Sequence, residues 1–106
     1  MTTARLRPAA EDDLVERSHH YRIAGGAAVA TRFFDASLAA LRAIERMPGI
    51  GSPVPGERLG IDGLRAHRVK GFPCCWYYFQ RVDHVDVVRL LADVQDLSLS
   101  IGSPDG

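Results

Sequence analysis

The chain has 106 residues, 46% of them apolar and 25% charged, with 13 Lys and Arg set against 13 Asp and Glu. That length holds one domain with a modest core of its own, the apolar fraction excludes a disordered chain, and the zero formal charge argues against nucleic-acid binding by bulk attraction. The basic side is almost all arginine, Lys70 being the single lysine, and the planar guanidinium fork suits carboxylates and phosphates.

Ala4 and Leu6 alternate with Thr3, Arg5 and Arg7, and this period of two predicts a short strand over 2–7. Met1–Pro8 has no apolar core of the signal-peptide kind, so no export is expected. Pro8 stops the strand and opens a helix predicted over Ala9–Ala24. Glu11, Asp12 and Asp13 are expected in its first turn, where carboxylates complement the helix dipole. Ala10, Leu14, Ser18 and Tyr21 form its inner stripe, and Glu16, Arg17, His20 and Arg22 its other face. Gly25-Gly26 breaks the run. A second helix is predicted from Ala27 to Arg46 or Met47, with Phe33, Ser37, Ala40 and Ile44 interleaved with Phe34, Leu38 and Leu41 in a wide apolar stripe. Two helices joined by a tight glycine turn make an antiparallel hairpin.

Pro48 ends the second helix, and the Gly- and Pro-rich stretch over 48–63 reads as a loop. Three strands are predicted next: Leu64–Lys70, the apolar run Cys74–Phe79 and the β-branched run Val85–Leu91. The gaps between them are hairpin-sized. Residues 98–106 are expected to be flexible. The order gives a single α+β domain over 1–106, with the helical hairpin laid on one sheet of antiparallel strands.

Cys74 and Cys75 are adjacent, a spacing that builds no disulfide framework. They fit two reduced thiols in a cytoplasmic protein. No CxxC or HxxxH spacing accompanies them, so neither metal nor cofactor is expected. No stretch approaches the roughly 18 apolar residues of a membrane span.

Several phrases, in order, carry a resemblance. They are Pro8-Ala9-Ala10 with Glu11-Asp12-Asp13-Leu14, then Ala30-Thr31-Arg32-Phe33, then Met47-Pro48-Gly49-Ile50-Gly51-Ser52-Pro53. Gly63-Leu64-Arg65, Val69-Lys70-Gly71-Phe72-Pro73 and Tyr77-Tyr78 follow, and last Val87-Val88-Arg89-Leu90-Leu91 with Asp96 beyond. In this arrangement the chain resembles the ParE/RelE superfamily of type II toxin–antitoxin modules, which act in plasmid stabilisation and growth arrest. The resemblance implies a bacterial, cytoplasmic toxin with a cognate antitoxin, of the ribbon-helix-helix ParD-like kind. Two activities share this fold: ParE-like members inhibit DNA gyrase, and RelE-like members cleave messenger RNA on the ribosome without a metal.

RelE-like cleavage needs a base, phosphorane-stabilising cations and an acid, and the family draws part of that set from its C-terminal end. Residues 92–106 contain no Tyr, His, Lys or Arg, and Ala92 stands where many members carry His. A nuclease here would rest on His67, Arg68 and Arg89. The neutral chain and the missing C-terminal group favour the ParE-like reading, which has no catalytic residue and no direct sequence-specific nucleic-acid contact. A non-toxic, antitoxin-binding remnant is the third reading. Arg65, Arg68, Lys70 and Arg89 are the candidate target or antitoxin contacts. Alternation puts Arg68 and Lys70 on one face and Arg65 on the other. Val15, Ile23 and Val29 fall off the main apolar stripes and are the candidate antitoxin-groove residues.

The charge balance is segregated. Residues 1–63 carry eight bases and eight acids, 64–91 five bases and two acids, and 92–106 three acids and no base. The strand region is therefore the basic part of the chain.

Overall fold

The computed structural model describes residues 2–92, so Asp96 and the segment 98–106 lie outside the described residues. The order is β1 (Thr3–Leu6), α1 (Pro8–Gly25), α2 (Ala27–Arg46), a 3-10 turn at Pro48–Ile50, α3 (Val54–Leu59), β2 (Leu64–Arg68), β3 (Cys75–Gln80) and β4 (His84–Leu91). The four strands form one sheet in the order β1-β4-β3-β2. β2 with β3 and β3 with β4 are antiparallel, as expected. β1 lies parallel to β4, from Thr3 beside His84 to Leu6 beside Val87, so the sheet is mixed and not wholly antiparallel.

Pro8 fits the first position of α1 because that amide has no helical acceptor. Gly26 is the joint of the hairpin, capping the C-terminus of α1 and the N-terminus of α2 at once. Its φ of 88° and ψ of 174° belong to glycine alone. Its N–H donates to the Arg22 carbonyl, and its own carbonyl accepts from the Ala30 N–H.

The main core lies between the helical hairpin and the sheet, around Phe33, Ile44, Trp76, Tyr78, Val85, Val87 and Leu90, all fully buried. Each such side chain contributes roughly 1.5–3 kcal/mol by burial. Ser37 is the small residue that lets the sheet close on α2: the Trp76 indole N–H donates to its carbonyl at 3.0 Å. The rings of Tyr21, Phe33 and Phe72 pack with centroids 4.9–5.1 Å apart. The other face of the sheet buries Leu64, Tyr77, Val88 and Leu91, with Leu59, Ile61 and Phe79 packed on them. The aromatic strand thus divides as its alternation requires, with Trp76 and Tyr78 under the helices and Tyr77 and Phe79 opposite.

Besides the sheet, three further expectations are corrected. The stretch 48–63 is not all loop, because α3 forms inside it. Gly56 makes that helix fit: a Cβ there would come within 2.6 Å of the Leu64 carbonyl oxygen. Gly60 closes it in the left-handed conformation. Phe34 is 39% exposed, so it leaves the inner stripe of α2. Only Glu11 sits in the first turn of α1, while Asp13 turns toward the sheet.

Candidate interaction surface

β1 ends after four residues, and its last rung is the Arg7 N–H donating to the Val87 carbonyl. Beyond that rung β4 has no strand beside it on this side. The start of α1 fills the place. Asp13 Oδ2 accepts from the buried Leu90 N–H at 3.0 Å, and the Asp13 carboxylate takes the Arg89 fork through Nε at 2.6 Å and a terminal nitrogen at 2.8 Å. Both side chains are mostly buried. Arg89 is therefore a strut between sheet and helix.

Arg65 is also committed to the fold. Its guanidinium donates to the carbonyls of Gly49 and Gly51, at 3.3 and 2.6 Å. The same turn is held from inside by Tyr78, whose hydroxyl donates to the Pro48 carbonyl at 2.7 Å and accepts from the Gly51 N–H at 2.8 Å. Burial raises the Tyr78 hydroxyl above its ordinary pKa.

Arg68 and Lys70 differ from these two. Both are exposed, and neither makes a side-chain hydrogen bond or ion pair among the described residues. Arg68 ends β2, and Lys70 lies just past it in the turn to β3. His67, half-buried on the helix side of β2, joins them along a groove against α2. Burial pulls the His67 pKa below its usual value, which keeps the ring neutral at pH 7. Arg65 and Arg68 lie on opposite faces of β2, as alternation requires, while Lys70 is beyond the strand.

The three nuclease candidates are not gathered. His67 and Arg68 are neighbours on β2, whereas Arg89 is two strands away across Tyr77, with its fork bound to Asp13. Cys74 is buried and its thiol is pushed up to about 11 by desolvation, so it is no thiolate at neutral pH. Burial likewise raises Cys75. Among the described residues no cluster of His, Cys, Asp and Glu could hold a metal ion.

On the hairpin, Val15 and Ile23 are 69% and 74% exposed, eight residues apart on one side of α1. Val29 rests against the Gly25 turn, where a Cβ on Gly25 would meet its Cγ2 at 2.9 Å. The furrow between the two helices, about 370 Å³, is lined by none of the three. Its walls include His19, Arg22, Thr31 and Phe34. Phe34 escaped the sequence reading because helical spacing alone counts it as core.

A second charged knot fastens β1. Asp86 accepts two bonds from Arg7, at 3.0 and 2.9 Å, and one from Arg81 at 3.3 Å. Burial raises the Asp86 pKa, but the arginines outweigh it and leave the carboxyl below its ordinary value. None of the helices is long and apolar enough to cross a membrane among the described residues.

Comparison with known proteins matches this architecture. A chain of the chromosomal ParDE TA system from P. aeruginosa superposes with a TM-score of 0.72 over 85% of this chain and 94% of that one, at 16% identity, a likeness of fold. No curated protein matches the sequence. The profile of the family described as ParE toxin of type II toxin-antitoxin system, parDE, matches residues 4–97. With most of its length covered by that profile, the chain belongs to the ParE toxin family and is a type II toxin of the ParE kind.

Proposed function

We propose that this toxin binds DNA gyrase in the cytoplasm, holds the enzyme in its cleaved-DNA state without catalysing a reaction itself, and is neutralised by a ribbon-helix-helix ParD-like antitoxin. The observation that carries the non-catalytic reading is the commitment of Arg89. A cation held in a carboxylate fork is poorly placed to meet the charge of a phosphorane, which needs donors aimed at the developing oxyanion. With Arg89 engaged, His67 and Arg68 are left with Lys70 beside them in a groove that is lined by no carboxylate, and the three sequence candidates do not converge on one point.

The deciding experiment mixes purified toxin with gyrase and supercoiled plasmid. Accumulation of linear, protein-linked DNA supports the proposal. Normal supercoiling with no cleaved DNA overturns it. In cells, induction of the toxin alone should give filaments with a DNA-damage response. Prompt translation arrest with cut transcripts would favour the nuclease, and undisturbed growth a non-toxic module. Co-expression with its cognate antitoxin should restore growth.

A further inference from the structure

β2 is an edge strand, and its outer backbone positions are those of Leu64, Ala66 and Arg68. Edge positions with free N–H and C=O groups template further pairing, so a stable protein covers them. Two of the three are covered. The Leu64 N–H donates to the Ile61 carbonyl, and the Leu64 carbonyl is pressed against Gly56. Ala66 exchanges both bonds with Ser52, at 2.8 and 3.0 Å. At Arg68 no covering bond forms among the described residues, and there the edge is open.

That open rung borders the groove of about 320 Å³ between β2 and α2. Its floor is Ala36, Ala39, Ala40 and Ala43, four side chains that end at Cβ and allow close approach of another backbone. Its rim is His67, Arg68 and Lys70, and none of its lining residues is acidic. Of the four candidate cations Arg65, Arg68, Lys70 and Arg89, the two on this rim are the ones that make no side-chain hydrogen bond or ion pair among the described residues.

We propose that this rung and groove receive an extended acidic segment of a partner protein, which adds one rung to β2 at Arg68, lays small apolar side chains on the alanine floor and sets its carboxylates against Arg68 and Lys70. An open N–H and C=O pair is matched by another peptide backbone. The alanine floor carries no ring and His67 at the rim is the one ring of the lining, which disfavours a run of stacked bases. A second copy pairing edge to edge here would place Arg68 and Lys70 against their own like charges. The proposal stands whether or not gyrase is the target.

The test uses the full chain and a fluorescein-labelled octapeptide alternating Glu and Val, with a Lys–Val octapeptide and a single-stranded RNA of equal charge as competitors. Binding is read by anisotropy, and the Arg68 amide by NMR exchange. The acidic peptide should bind and slow exchange at the Arg68 amide. Arg68→Glu with Lys70→Glu should weaken binding about tenfold or more, while Arg22→Glu with Arg32→Glu, on the exposed hairpin surface, should change it less than about twofold. Ala39→Trp, which fills the floor, should block binding with both cations in place, so a poorly folded charge-reversal variant does not protect the proposal. Binding that leaves the Arg68 amide unchanged, equal competition by the RNA, or self-association through this edge would each overturn it.

Discussion

Asp13 is the residue whose removal tests the placement of Arg89 most directly. Asp13→Ala strips the buried Leu90 N–H of its side-chain acceptor, 3.0 Å away. An orphaned buried amide costs about 1–3 kcal/mol. The Arg89 fork also loses its carboxylate, but its side chain is 22% exposed and can turn to water, so that share is only about 0.5–1 kcal/mol. The total is about 1.5–4 kcal/mol, a fall in Tm of roughly 5–15 °C for a chain of this size. Asp13→Asn keeps an acceptor for Leu90 and should cost about 1 kcal/mol. Asp12→Ala, exposed and one residue away, should stay within about 0.5 kcal/mol. Urea unfolding of the three variants measures these values. A double-mutant cycle with Arg89→Met should return a coupling of about 1 kcal/mol. Asp13→Ala indistinguishable from wild type, or no different from Asp12→Ala, would refute the strut and free Arg89 for a role at the target.

Tyr78→Phe leaves the Gly51 N–H and the Pro48 carbonyl without their shared partner and should destabilise by about 2–3 kcal/mol in the same assay. Asp86 is depressed in the folded state, so its stabilisation is present above the ordinary carboxylate range and is lost as pH falls through the folded value. Asp86→Asn should therefore flatten the acid limb of a stability profile taken from pH 6 to 2. His67 is also depressed, so its share is complete above about pH 6.5 and fades on acidification below it; His67→Gln should remove that slope. Cys74 and Cys75, both shifted up by burial, should react slowly with a disulfide reagent at pH 8 in the native protein, Cys74 the slower, and fast once the chain is unfolded.

Helix and strand periodicities gave α1, α2, β3 and β4 to within a residue or two, because each buries a full face and the pattern is written along the chain. The parallel pairing of β1 with β4 has no such trace, since the partners are about 80 residues apart and the alternation of Ala4 and Leu6 is the same for either direction. α3 was obscured by Pro55 and Gly56, although Pro near its start and Gly60 just past its end are the ordinary signs of a short helix. For the candidate surface, alternation separated Arg65 from Arg68 but could not tell a strut from a free cation. That distinction depends on the Gly49 and Gly51 carbonyls and on Asp13, groups brought near only by the turn and by the start of α1.

The single-glycine joint at Gly26 leaves no slack between α1 and α2. One residue inserted there would turn α2 by about 100° about its axis, carrying Phe33 and Ile44 away from the sheet and the alanine floor away from β2. The phase of α2 is thus set at its first residue, so length changes in this protein are tolerable elsewhere, at the fully exposed Val82 in the turn between β3 and β4, and not at the hairpin whose two helices share one cap.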